Sequence, residues 1–312
     1  MKFINLFLLL IFSLFLASCD NDEPGSSLNI SSNLIEMEGE GGTTEISVTG
    51  KEWSIAEVIN LNGNINISGD TYSDDGEQLL VNRQLYLDSL GRMEALWSDK
   101  GFKITRTTAT SLEIFLKENS TGEDFGFVIM VESGGEVKEI TVKQKKSQGY
   151  TFEKIEFSLK ENDGDSLYIK KGDNYKFTIP SAQEFSFSPF NGINVNKRYQ
   201  FQSSEDDAFV WIKKDSVMVE LPSAIHEQEI YFDGGKGLYT NFVVTGEHDF
   251  KDVMEIVTLP SGESEFSVEI EYRKRVISYT LYLINNRTNE EKKIEGKWIE
   301  HSPTGEYNVE WE

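Results

Sequence analysis

Apolar and polar residues alternate with a period of two along most of this chain. Thr44-Glu-Ile46-Ser-Val48, Leu112-Glu-Ile114-Phe-Leu116, Phe177-Thr-Ile179 and Val217-Met-Val219-Glu-Leu221 show it, as do Phe266-Ser-Val268-Glu-Ile270-Glu-Tyr272 and Tyr279-Thr-Leu281-Tyr-Leu283. Alternation sends one set of side chains to a core and the other to water, the mark of antiparallel sheets buried on one face. Turn-forming clusters recur between the runs: Glu38-Gly-Glu-Gly-Gly42, Ser133-Gly-Gly135, Asn162-Asp-Gly164, Phe232-Asp-Gly-Gly235 and Pro260-Ser-Gly262. The pattern predicts an all-β chain of sandwich type.

One stretch reads two ways. Tyr86, Leu90, Met93 and Trp97 have helical spacing, but Gly91 weakens a helix by about 1 kcal/mol relative to Ala. A hairpin pairing Gln84–Asp88 with Met93–Trp97 is preferred. The polar run Lys145-Lys-Ser-Gln-Gly149 separates two strand-rich blocks. It predicts one domain over residues 28–148 and a second region over 149–312, either one large sandwich or two small ones divided near Phe232–Gly237.

Charge narrows the partners. Lys and Arg total 30 against 53 Asp and Glu, a formal charge of −23, which leaves nucleic acid without electrostatic support. A single Cys excludes an internal disulfide, and three His leave little for zinc. No cofactor is expected.

The first 18 residues combine Lys2 with the apolar run from Leu6 to Leu16 and small Ala17-Ser18, the layout of a secretory signal. Sixteen uncharged residues separate Lys2 from Cys19, fewer than the roughly 20 that span a bilayer as a helix. Leu16-Ala17-Ser18-Cys19 resembles a bacterial lipobox, which implies cleavage before Cys19 and acylation of its thiol and new amine. Two or three acyl chains attach a protein durably, since each buried CH₂ contributes about 0.8 kcal/mol. Residues 19–27, with Asp20-Asn-Asp-Glu23 and Pro24-Gly25-Ser26-Ser27, then read as a lipidated flexible tether. The acidic stretch resembles a Bacteroidetes lipoprotein export signal, which implies an outer-membrane lipoprotein displayed at the cell surface. An ordinary solvated linker and periplasmic retention remain the alternatives.

Within 28–148, Glu40-Gly-Gly-Thr-Thr-Glu-Ile-Ser-Val-Thr-Gly-Lys-Glu-Trp53 and Gly126-Phe-Val-Ile-Met-Val-Glu-Ser-Gly-Gly-Glu-Val-Lys-Glu-Ile-Thr-Val-Lys-Gln144 resemble the two ends of a BACON domain. That family is an immunoglobulin-like sandwich of Bacteroidetes proteins. The resemblance covers residues 28 to about 146 and implies an immunoglobulin-like sandwich there, and with the strand pattern of 149–312 the expected fold is tandem immunoglobulin-like β-sandwich domains after the signal peptide. The residues agree, Trp53 suiting a core filler and Gly134-Gly135 a tight hairpin turn. An insertion at about 57–100 departs from the family pattern. Its middle, Asn60–Glu77, is expected to form an exposed excursion instead of extra core.

Catalytic signatures fail on inspection. His226-Glu227-Gln-Glu-Ile230 has Ile where a zincin needs its second His, and Gly235-Lys-Gly237 lacks the third glycine of a dinucleotide loop. His248-Asp249 has no nucleophile to serve and reads as a surface pair in a turn. Ser73-Asp-Asp-Gly-Glu77, Asn162-Asp-Gly-Asp165 and Glu205-Asp-Asp207 lack EF-hand spacing and read as solvated turns. Spacing alone neither identifies nor excludes the carboxylate pair of a glycosidase, so a hydrolase remains a third possibility and no activity is expected.

The five Trp are Trp53, Trp97, Trp211, Trp298 and Trp311. Trp298 and Trp311, with Tyr307, are candidate glycan contacts because aromatic faces stack on sugars; the competing reading packs them into the core. Asp88-Ser89-Leu90, Asp165-Ser166-Leu167 and Asp215-Ser216-Val217 match the Asp-Ser/Thr-apolar sequon of Bacteroidetes O-glycosylation, making Ser89, Ser166 and Ser216 candidate modification sites. These features together lead us to expect an envelope binding module for glycan, tethered to membrane by lipid. The alternative is an assembly lipoprotein docking a protein.

Overall fold

The computed structural model describes residues 27–61, 65–192, 195–212 and 217–312. The signal segment 1–18, Cys19, nearly all of the tether, and Ser216 lie outside the described residues. Among those residues the regular structure is entirely β, apart from isolated turns.

Strands β1 (Asn29–Ile30), β2 (Leu34–Met37), β3 (Gly42–Thr49), β4 (Ser54–Asn60), β5 (Ser68–Ser73), β6 (Gln78–Gln84), β7 (Gly91–Leu96), β8 (Gly101–Thr108), β9 (Ser111–Leu116), β10 (Phe125–Ser133) and β11 (Glu136–Gln144) build the first unit. They form a seven-stranded sheet, β1-β3-β9-β8-β7-β5-β6, and a four-stranded sheet, β2-β11-β10-β4. Inward residues of both, including Val48, Phe102, Ile114, Ile129 and Val142, close one core. Trp53 fills it, 1% exposed. Its indole N–H donates to the Ala109 carbonyl, and the Arg106 guanidinium lies 3.8 Å from the ring centroid. Between β10 and β11 the register runs Ser133↔Glu136, so Gly134 and Gly135 form a two-residue turn at φ of 57° and 87°, a conformation side chains disfavour.

The insertion behaves differently from the sequence expectation. Within Asn60–Glu77, β5 is an inner strand of the seven-stranded sheet and Thr71 is 3% exposed; beyond it, β7 is also an inner strand and Leu85, Leu87, Met93 and Ala95 join the buried cluster. The Asp74–Glu77 turn is exposed as expected, and so are Ile65 and Asn66. The Tyr86–Trp97 stretch contains no helix, but the expected hairpin is also absent, because β5 lies between β6 and β7. Polar residues in β5 concealed a strand that pairs with both β6 and β7.

The second unit comprises β12 (Tyr150–Ser158), β13 (Gly164–Ile179), β14 (Gln183–Phe187), β15 (Lys197–Gln202), β16 (Met218–His226), β17 (Glu229–Leu238), β18 (Val244–Gly246), β19 (Glu255–Leu259), β20 (Gly262–Asn285) and β21 (Glu291–Trp311). Its frame is the antiparallel pair β20 and β21, of 24 and 21 residues. β12 and β13 pair with successive stretches of β20, while β15 and then β18 extend the sheet beyond β21. The long-range antiparallel pair β14–β19 and the β16–β17 hairpin cover parts of this frame.

β20 serves two cores in turn. Phe266, Val268, Ile270 and Tyr272 are buried in one cluster with Phe187, Phe190 and Leu259; Ile277, Tyr279, Leu281 and Leu283 are buried in another with Phe201, Tyr239 and Trp298. The first set has even numbers and the second odd, so period-two geometry puts the cores on opposite faces of the strand. The phase changes across Arg273-Lys274-Arg275. The two lobes are thus divided across a shared strand, not at Phe232–Gly237, which lies within β17 as a bulge.

The units meet through polar contacts. The Glu118 carboxylate accepts hydrogen bonds from Ser147 Oγ at 2.6 Å and Tyr150 Oη at 2.8 Å, and Arg287 pairs with Glu40.

Candidate functional site

A cleft of about 580 Å³ opens where the two lobes of the second unit adjoin. β15 contributes Lys197 and Tyr199; the β16–β17 hairpin contributes Leu221, Pro222, Asp233 and Lys236; the segment after β18 contributes Glu247 to Phe250. Arg273 and Ser302 to Thr304 supply the remaining wall. The β17 bulge shapes one rim, with Gly235 N donating to Asp233 Oδ1 at 2.9 Å and Gly234 N to Glu220 Oε1 at 3.1 Å.

Behind the wall lies Glu300, whose side chain is 1% exposed. It receives Lys197 Nζ at 2.7 Å and Arg273 Nη2 at 3.0 Å, so two cations of the cleft wall are already neutralised. At Gly305, φ is 101° and a Cβ would lie 2.6 Å from the Phe250 ring. Glycine there lets Phe250 pack close beneath the cleft.

His248 is 7% exposed, so it is not a surface residue as its sequence context implied. Its Nδ1 accepts from Phe250 N at 3.2 Å, and its ring packs near Phe190 and Phe250. Neighbouring Asp249 is exposed. His226 and Glu227 occupy the exposed tip of the β16–β17 hairpin, far from helical geometry.

The three proposed aromatic contacts do not form one platform. Trp298 is 0% exposed, wedged between Phe157 and Tyr199, and presents no face to a sugar. This corrects its assignment as a glycan contact. Tyr307 is half-buried, edge-on to Phe190, with its hydroxyl donating to Glu255; that bond, then burial, pushes its pKa up to about 12. Trp311 is 46% exposed but rests on Phe266 at 5.0 Å between centroids. Ser89 and Ser166 are exposed.

Two acidic turns have structural partners that sequence spacing concealed. Asp163 accepts from Lys297 Nζ and Ser278 Oγ, both at 2.6 Å, and Asp165 binds Arg275. Asp207 pairs with Lys292 at 2.6 Å. Asp75 caps its own turn by bonding Ser73 Oγ and Glu77 N. Among the described residues, no group of three or more His, Cys, Asp or Glu is arranged to hold a metal ion.

The architecture defines an all-β protein of sandwich type. No family model matches the chain, and no curated protein matches it. Solved structures resemble it weakly. An NMR structure of a protein from Bacteroides thetaiotaomicron is 14% identical, with 41% of this chain and 96% of that one covered and a TM-score of 0.27. A crystal structure of a lamprey immune protein is 9% identical over 92% and 96% of the respective chains, with a TM-score of 0.33. The DIP-gamma IG1+IG2 structure is 6% identical over 87% and 95%, with a TM-score of 0.21. Similarity at this level carries no argument about function.

Proposed function

We propose that this protein is a lipid-anchored, cell-surface binding module of a bacterial outer membrane, non-catalytic, with a glycan held in the cleft of its second unit. In this reading Cys19 carries the lipid, residues 20–27 form the tether, and the first unit is a BACON-like spacer. The observation that supports it best is the lining of the cleft. Asp233, Lys236, Asp249 and Thr304 offer hydrogen-bonding groups beside Leu221, Pro222 and Phe250, a lining rich in polar groups with a smaller apolar part that suits a polyhydroxylated ligand.

Affinity electrophoresis of the intact protein in gels containing neutral polysaccharides tests the assignment. Retardation that disappears in Asp233→Ala/Lys236→Ala supports the cleft. Release of reducing ends from the same panel would instead establish a hydrolase. Metabolic labelling with a fatty-acid analogue tests the anchor, which an unmarked polypeptide beginning at Met1 would exclude.

A docking role for a protein partner is favoured by one feature: Phe242 and Val243, 77% and 56% exposed, stand together immediately before β18. Pull-down from envelope extract with Phe242→Ser/Val243→Ser as the control separates this reading from glycan capture.

A further inference from the structure

On the face of the sheet opposite the cleft wall, one cross-strand row collects positive charge. The register runs Ser166↔Lys274, Lys274↔His301 and His301↔Arg198 across β13, β20, β21 and β15. Directly opposed residues lie on the same face with side chains in reach of one another, and like charges so placed destabilise a sheet. Here Lys274, His301 and Arg198 occupy three consecutive positions, in a chain whose formal charge is −23. Among the described residues neither Lys274 nor Arg198 has an ion-pair partner within 4 Å, whereas Arg273, Arg275 and Lys197, their sequence neighbours, all do. Period-two geometry explains the contrast: the acids Asp165 and Glu300 point to the other face.

The row is half-buried and flanked on both sides by less polar surface. One neighbouring row is Val276↔Ile299↔Gln200; the other is Tyr168↔Tyr272↔Pro303. Tyr168 Oη lies 2.9 Å from His301 Nδ1, fixing the imidazole. Its surroundings hold His301 below the usual histidine range, burial first and then Arg198, Lys274 and Lys170, with Glu300 alone opposing them. Two fixed cations and one suppressed cation, framed by less polar strips, lack a counter-charge on their own face.

We propose that Lys274, His301 and Arg198 bind the oxyanion of an acidic saccharide, either a uronate carboxylate or a sulfate ester, with its sugar ring against Tyr168 or the Val276–Ile299 strip. Arg supplies a planar fork of donors and Lys a point charge, a pairing suited to carboxylate and sulfate alike. This site lies on the face opposite the cleft and does not depend on ligand binding there.

The intact protein is run in gels containing dextran sulfate, polygalacturonate or neutral dextran. Retardation by one or both polyanions, weakened about tenfold or more in Arg198→Gln/Lys274→Gln and unchanged in Asp233→Ala/Lys236→Ala, is expected. Dextran sulfate alone would identify a sulfate ligand, and polygalacturonate alone a carboxylate. Indifference to both polyanions, or retention of binding in the double variant, overturns the proposal. A second readout uses unmutated protein: a bound anion raises the His301 titration midpoint followed by NMR, and an unmoved midpoint at saturating polyanion also overturns it.

Discussion

Arg275 and Asp165 form a two-pronged pair, Nε to Oδ1 at 2.7 Å and Nη2 to Oδ2 at 2.8 Å, at the point where β20 changes the face it buries. Arg275 Nη1 also donates to the Ser223 carbonyl at 2.6 Å, so one guanidinium ties β13 and β16 to the phase change. The arginine side chain is 2% exposed and the aspartate 30%. Removing either partner is therefore unequal. Asp165→Ala leaves a buried cation and is expected to cost about 3–5 kcal/mol, whereas Arg275→Met leaves a carboxylate that water reaches and costs about 2 kcal/mol. Denaturant unfolding of the two variants checks the order, and a larger loss in Arg275→Met would contradict it.

Trp298 carries stability, not recognition. Trp298→Ala is expected to lose about 3–5 kcal/mol through cavity formation. Its indole Nε1 is buried without a hydrogen-bond partner, so Trp298→Phe, which removes that orphaned donor along with some volume, should lose far less. Trp311→Ala, at the exposed edge of its lobe, should cost about 1 kcal/mol or less. Thermal melts of the three variants give the comparison.

Acid should loosen the second unit through Asp163. Burial opposes its charge, but Lys297, Ser278 Oγ and the backbone N–H groups of Lys160 and Ser278 more than compensate, holding the carboxyl below its ordinary range. The lowered pKa means that the unfolded chain takes up the proton first. Its contribution is therefore complete above the ordinary Asp pKa of about 3.9 and is lost as pH falls through the lower folded value. Asp163→Asn should flatten that part of the stability profile; an unchanged acid limb in urea titrations from neutral to acid pH would count against this assignment.

His301 acts with the same sign at higher pH. A folded pKa depressed below about 6.5 means stability falls as pH drops through the unfolded value and levels off once the folded group is protonated. His301→Gln should remove this component, read from melting temperatures between neutral pH and the onset of carboxylate protonation.

Native material from the source cell should carry hexose on Ser89 and Ser166 if their sequons are used, since both hydroxyls are exposed. Intact mass with and without Ser89→Ala/Ser166→Ala measures it. A single unmodified mass would end the idea.

Much of the β architecture was legible in alternation. Ile46 and Val48, Leu112 to Leu116, and Phe266 to Tyr272 each bury the side that the pattern marks, because burial of every second residue leaves a local trace. Even the two phases of β20 are written in the even and odd apolar positions on either side of Arg273-Lys274-Arg275. That they belong to one continuous strand is not, since a polar triplet between apolar runs resembles a turn until long-range pairing with β13 and β21 carries it through.

The sequence by itself determined the apolar run from Leu6 to Leu16, the acidic balance and the period-two pattern, all of them local or additive properties. Tertiary structure alone decided that polar β5 is an inner strand, that Trp298 is core while Trp311 is rim, and that Lys274, His301 and Arg198 share one row. Each of these depends on which distant strand supplies the neighbour and in what register. A shift of one residue would exchange the faces and put Arg198 where Lys197 now meets Glu300.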